Sequence, residues 1–186
     1  MAGQEGDAGA GRRYDRHGHT PDGAHPTLAE TERAVAERLD GLTLDMPAMA
    51  VVQNLYRAAG AIRNHLERSV LAPHGLTWTG WVVLWVVWIW DDIEARHVAA
   101  EAGISKGTLT GVLSTLESRG LLVRRTHPED ARRVLVALTE RGQQLMSEVF
   151  PVFNAQEAVV TAPLTPDDRR RLAVLLRTVV RGLDRG

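Results

Sequence analysis

Fourteen residues from Thr77 to Trp90, TWTGWVVLWVVWIW, carry no charge, and whatever this chain folds into must take them out of water. As a helix the run spans roughly 20 Å, short of the roughly 30 Å hydrocarbon core of a bilayer. It therefore reads as a fully buried core helix, capped at its start by Thr77. Trp78, Trp81, Trp85 and Trp88 recur at helical spacing and form one stripe, while Val82, Val83, Leu84, Val86 and Val87 make the other faces apolar too.

Around this helix the chain punctuates itself. Residues 1–26 hold six Gly and three His (His17, His19, His25) without apolar periodicity, and are expected to form a disordered tail. Thr27 and Glu30 form a capping-box pattern that opens a short helix, with Gly41 beyond its end. A second helix runs from near Pro47 to about Leu71, its stripe made by Val51, Val52, Leu55, Ala58, Ala59, Ile62 and Leu66, and Pro73, His74 and Gly75 end it. After the Trp-rich helix comes a short helix from Ile93 to Gly103, then one capped by Ser105 that stops at Gly120.

LLVRRTHPEDARRVLVALT then reads as two strands around a turn at His127–Asp130, with Val134, Val136 and Leu138 alternating. Thr139 caps a further helix, bent at Pro151 and ending near Pro163. The last opens with Thr165, Pro166, Asp167 and Asp168 and carries Leu172, Leu175, Leu176, Val179 and Val180 as one stripe. The fold class is thus mainly α with a small β-wing: a winged helix-turn-helix at residues 76–140. Segments 27–75 and 141–186 flank it, with more apolar surface than so small a domain can cover, so both are expected to dimerise.

The formal charge of −1 says nothing of nucleic acid, but its distribution is uneven. From Arg96 to Arg133 seven Lys or Arg face four acids, net +3 against −4 elsewhere, and by charge alone this fits a solvated face or an anionic partner equally. With Leu109, Val112, Leu113 and Leu116 inward, the helix after Ser105 turns Lys106, Gly107, Thr108, Thr110, Gly111 and Ser114 outward. Small polar residues of this kind suit a major groove, and Ser105 and its neighbours sit where helical N–H groups favour phosphate. Arg124, Arg125, His127, Arg132 and Arg133 crowd one tight turn, within reach of a minor groove, and Asp130 is placed to orient Arg132 by a bidentate pair.

The stretch Leu76–Gly142, including VAAEAGISKGTLTGVLSTLESRGLLVRR and HPEDARRVLVALTERG, resembles the MarR (multiple antibiotic resistance regulator) family of winged helix-turn-helix repressors. The matching motifs are Glu117, Gly120 and Leu121 at the end of the recognition helix, and Asp130, Arg132, Leu138 and Thr139 along the wing. With the helical flanks the resemblance covers about residues 45–182. It implies a homodimer on pseudo-palindromic operator DNA, modulated by a small ligand, and the absence of cysteine fits the cytoplasmic location expected of the chain. His127, Ala131 and Gly107 depart from the common pattern. The extra N-terminal helix is similar to that of the branch sensing urate and related purines, without a match to that branch's ligand residues.

The resemblance places aromatic acids in the cleft between dimerisation helices and winged lobe. The Trp stripe reads first as core packing. Alternatively, a planar anionic effector would stack on Trp81 or Trp85 and pair with Arg57, Arg63 or His65. Absence of cysteine removes disulfides, thiolate metal sites and a thiol peroxide sensor. No cofactor, metal site, membrane span or enzymatic motif is expected: His65, His74, His97, Asp91 and Asp92 follow no catalytic spacing. A metal-responsive regulator using these His and carboxylates, and a winged-helix protein-interaction module without DNA binding, are the competing readings.

Overall fold

The computed structural model describes residues 27–183, so the N-terminal tail lies outside the described residues. The chain divides after Val51 into two compact units. In the first, α1 (Leu28–Arg38) is opened by a complete capping box. The Glu30 N–H donates to the Thr27 hydroxyl at 3.2 Å, and the Thr27 N–H to the Glu30 carboxylate at 2.8 Å. Asp45 then caps α2 (Met46–Leu66) by accepting from the Ala48 N–H at 2.9 Å.

In the second unit α2 does not stop at its last regular turn. It widens into a π turn at Glu67–Leu71 and tightens into a 3-10 turn at Ala72–His74, where Gly75 at φ +63° ends it. Leu66, Val70 and Leu71 are buried there, whereas Val52 and Tyr56, about two and three turns into the helix, are exposed. Thr77 caps α3 (Trp78–Trp90), and Trp81, Val83, Leu84, Val86 and Val87 make it the centre of the core. Burial fails at its last turn, where Ile89 and Trp90 are exposed, so the expectation of a helix covered along its whole length holds only to Trp88. No single helix among the described residues is long and apolar enough to cross a membrane.

Ile93 and Glu94 correct the expected helix. They form a strand, β1, paired antiparallel with Leu135 and Val136, and only Ala95–Glu101 is helical (α4). Two consecutive residues with positive φ, Asp91 and Asp92, make the corner that turns α3 into this strand. Gly103 reverses the chain into α5 (Lys106–Ser118). Gly120, at φ +67°, closes α5 as a left-handed cap: its N–H reaches the Glu117 carbonyl and the Leu121 N–H the Leu116 carbonyl.

β2 (Leu122–His127) and β3 (Asp130–Leu138) are the wing, joined by the two-residue turn Pro128-Glu129, and the sheet order is β1-β3-β2. The expected alternation of β3 fails at both ends. Val134 is exposed, and Val136 and Ala137 are both buried, because the root of β3 lies between two strands and against α3, α4 and α6. α6 (Glu140–Val160) carries Pro151 inside it and packs Met146, Val149 and Phe153 into the core. α7 (Pro166–Leu183) starts on the Thr165 cap, whose hydroxyl accepts the Asp168 N–H, and buries none of its residues.

Candidate nucleic-acid interface

α5 presents the expected face. Leu109, Leu113 and Leu116 are buried and Val112 half-buried, while Lys106, Gly107, Thr108, Thr110, Gly111 and Ser114 are all exposed. Ser105 fixes the first turn, its hydroxyl accepting from the Thr108 N–H at 3.1 Å and lying 2.9 Å from the Thr108 hydroxyl. The Thr110 hydroxyl donates to the Lys106 carbonyl at 2.9 Å. Its single donor is thereby engaged, so on the exposed face it offers only acceptor lone pairs.

The wing cations are organised by carboxylates that sequence spacing does not disclose. Arg124 is gripped by Glu117 of α5: its N–H reaches Oε1 at 3.3 Å and its guanidinium bonds Oε2. This hydrogen bond holds the Glu117 carboxyl below its ordinary pKa, and it clips recognition helix to wing. Arg125 pairs with Asp92 at 2.6 Å. Arg133 bonds Glu94, whose other oxygen holds Arg96 at 2.9 Å. Glu94 is 8% exposed, and the Arg133 hydrogen bond, ahead of the opposing cost of burial, lowers its pKa to about 2.

Arg119 turns inward, donating to the carbonyls of Gly75 and His74 at 2.7 Å each. Of the seven basic residues in this stretch, Lys106 and Arg132 are the two without such an anchor among the described residues. The expected Asp130–Arg132 ion pair is corrected here. Asp130 Oδ1 accepts the backbone N–H of Arg132 at 3.0 Å, shaping the turn and leaving the exposed guanidinium unpaired. His127 likewise serves the turn, its Nδ1 accepting the Glu129 N–H at 3.2 Å.

The expected ligand site is only partly assembled. Trp81 and Trp85 line a groove of about 350 Å³ with Trp78, Val82, Phe150, Phe153 and Glu157. Arg57 stays exposed on α2, Arg63 faces Glu67 at 4.0 Å, and His65 bonds Gln156 at 3.1 Å, so none of the three lines it. The reason is that α6 covers the Trp stripe: Phe153 stacks on Trp81 with centroids 4.7 Å apart and Phe150 on Trp85 at 4.8 Å. Among the described residues no three His, Asp or Glu side chains converge on a metal position.

Comparison with known proteins gives this geometry a lineage. A family model described as MarR family matches residues 76–134. The chain is 33% identical over 159 residues to the HTH-type transcriptional regulator YwaE of Bacillus subtilis (strain 168), spanning 86% of this chain and 90% of that one. The chain belongs to the MarR family. As a MarR-family protein it is a transcriptional regulator rather than an enzyme. Its fold is similar to that of BpsR of Bordetella bronchiseptica (TM-score 0.64, 29% identity, 70% of this chain and 98% of that), whose DNA binding is regulated by 6-hydroxynicotinic acid. AbsC of Streptomyces coelicolor, at 23% identity, shares the fold with a TM-score of 0.69 over 78% of this chain and 99% of that one.

Glu94 and the groove residues Phe150, Phe153 and Glu157 are residues that sequence reading missed, and Asp92 and Glu117, though named there, were not assigned as partners of the wing arginines. One signal was present: Phe150 and Phe153, the only phenylalanines in the chain, share one helical face.

Proposed function

We propose that this MarR-family regulator is a cytoplasmic homodimeric repressor that binds pseudo-palindromic operator DNA and is released by a small ligand. Residues 76–140 bind DNA. Residues 27–75 and 141–186 bring two copies together, although α6 also contributes Met146 and Val149 to the core of the DNA-binding lobe. The observation that carries the reading is the exposed small polar face of α5, clipped to a basic wing by Glu117 and Arg124. α5 enters the major groove, with Ser105 and Lys106 on phosphate and Thr108, Thr110, Gly111 and Ser114 toward base edges, Gly107 allowing close approach. Arg132 reaches the adjacent minor groove, while Arg124, Arg125 and Arg133 are posed by their carboxylates near the backbone. The regulation of BpsR by 6-hydroxynicotinic acid supports a ligand-responsive reading of this chain as well.

The test is a mobility-shift titration on the intergenic DNA beside the chromosomal gene. Arg132→Ala is expected to weaken binding by about tenfold, the worth of one charge-assisted contact. Lys106→Ala is expected to weaken binding to all sequences and lower the salt slope by about one. If Arg132→Ala binds as the parent does, the wing lies off the DNA.

A further inference from the structure

We infer that Arg119 is a positioning residue for DNA recognition: it braces α5 against the end of α2 and so sets the half-site spacing that the protein accepts. The inference rests on the operator reading above and names what fixes its geometry. Arg119 is the C-cap residue of α5, and its half-buried side chain crosses from that helix to the one that ends at Gly75. Its two terminal nitrogens, Nη1 and Nη2, donate to the carbonyls of Gly75 and His74 at 2.7 Å each. Those carbonyls lie at the C-terminus of the α2 extension, where helical C=O groups lack a partner along the chain and the helix dipole attracts a cation.

The planar guanidinium engages two successive carbonyls at once, so it restrains direction as well as distance, which the single ammonium of a lysine would not. Two residues earlier on α5, Glu117 grips Arg124 of β2, so the C-terminal end of the recognition helix is held on one side by the wing and on the other by α2. The end of α2 is itself rooted in the core by the buried Leu66, Val70 and Leu71. In the proposed dimer α2 belongs to the segment that meets the second copy, so a rotation of α5 against α2 would change the separation of the two recognition helices. Because its guanidinium faces two carbonyls of its own chain, Arg119 acts on DNA through α5 and not as a phosphate contact.

The experiment compares Arg119→Gln and Arg119→Lys with the parent as full-length proteins, in mobility shifts on the intergenic duplex and on copies whose half-sites stand one base pair closer or further apart. One base pair moves a half-site by about 3.4 Å and turns it by about 35°. The parent is expected to bind the altered duplexes on the order of tenfold more weakly, since protein or DNA must deform to restore the register. Arg119→Gln is expected to lose most of that discrimination and about tenfold in affinity at the natural spacing, yet to keep the parent's salt slope, which loss of a phosphate contact would lower by about one. Arg119→Lys is expected to fall between the two, and it keeps the test decisive should the glutamine variant not fold. The chain has no cysteine, so spin labels on Asn64→Cys in α2 and Thr115→Cys in α5, both exposed positions, report the distance between the helices in one protomer diluted into unlabelled protein. Arg119→Gln is expected to broaden that distance distribution, and Arg119→Lys to broaden it less. A parent-like spacing preference in the variants, a salt slope lower by one, or an unchanged distance distribution overturns the inference. A parent that binds no duplex removes the operator reading; the label distances, measured without DNA, then decide the brace by themselves.

Discussion

At the scale of single residues, Glu94 does more than its position in a two-residue strand suggests. It occupies the N-cap position of α4 yet makes no side-chain cap bond; its carboxylate is turned instead to Arg133 of the wing and Arg96 of α4. A carboxylate this buried is tolerable only with such partners, and removing its charge leaves Arg133, whose Nε is already buried without a partner, poorly compensated. Glu94→Gln keeps the volume and removes the charge, so it should lower the melting temperature and loosen the wing. The pH dependence has a definite sign. The folded pKa is depressed from 4.5 to about 2, so the contribution is fully present above about 4.5 and is lost as pH falls toward 2. Thermal melts of parent and variant should differ at neutral pH and converge across that window. A difference that persists unchanged at pH 2 would show that the carboxylate charge is not what holds the wing.

At the scale of elements, two glycines in helices call for opposite outcomes. Gly142 lies in the first turn of α6, where an added Cβ would come 2.0 Å from the Leu121 carbonyl oxygen, so α6 can seat against the start of β2 only because the side chain is missing. Gly142→Ala should destabilise by about 1–3 kcal/mol, the cost of forcing an overpacked contact apart. Gly111, on the exposed face of α5, has nothing within 4 Å of an added Cβ, so Gly111→Ala should stabilise by about 1 kcal/mol through helix propensity. Chemical denaturation of the two variants checks both signs. Element boundaries of this kind were legible in the sequence because caps and stops are local chemistry: Thr27 with Glu30, Thr77, Ser105, Gly120 and Thr139 act within a few residues. β1 was not, because two residues have no period to detect. The partners of the wing arginines were hidden for a different reason. Arg125 and Arg133 reach back 33 and 39 residues to Asp92 and Glu94, a proximity created only when β1 joins the sheet. The Trp stripe was legible as a stripe, but that α6 rather than the cationic face of α2 would cover it is a matter of tertiary packing.

At the scale of the whole molecule, the apolar face of α7 is the feature a single chain leaves unresolved. Leu172, Leu175, Val179 and Val180 are between 42% and 57% exposed, and the helix buries nothing. Covering a half-exposed Leu or Val is worth about 1 kcal/mol, so one such stripe yields only several kcal/mol, of the same order as the cost of bringing two chains together. In the proposed dimer two-fold symmetry would change the balance, because an isologous interface counts the same stripe twice, and the exposed Val52 and Tyr56 of α2 would add to it. A symmetric pair is also what would set two α5 helices about 34 Å apart, one duplex turn, for successive major grooves. Ending the chain after Pro163 removes α7 while leaving the buried core of α3, α5 and α6 untouched, since no α7 residue belongs to it. The shortened protein should therefore lose only the helical signal of the 18 residues of α7, keep its tryptophan emission, sediment as a monomer at micromolar concentration, and lose tight operator binding, because each half-site alone supplies too few contacts. Sedimentation and mobility shift on the same preparation check this together. A folded truncated protein that remains dimeric would place the dimer contact elsewhere, and a monomer that still binds the operator as tightly as the parent would mean that each recognition helix acts alone.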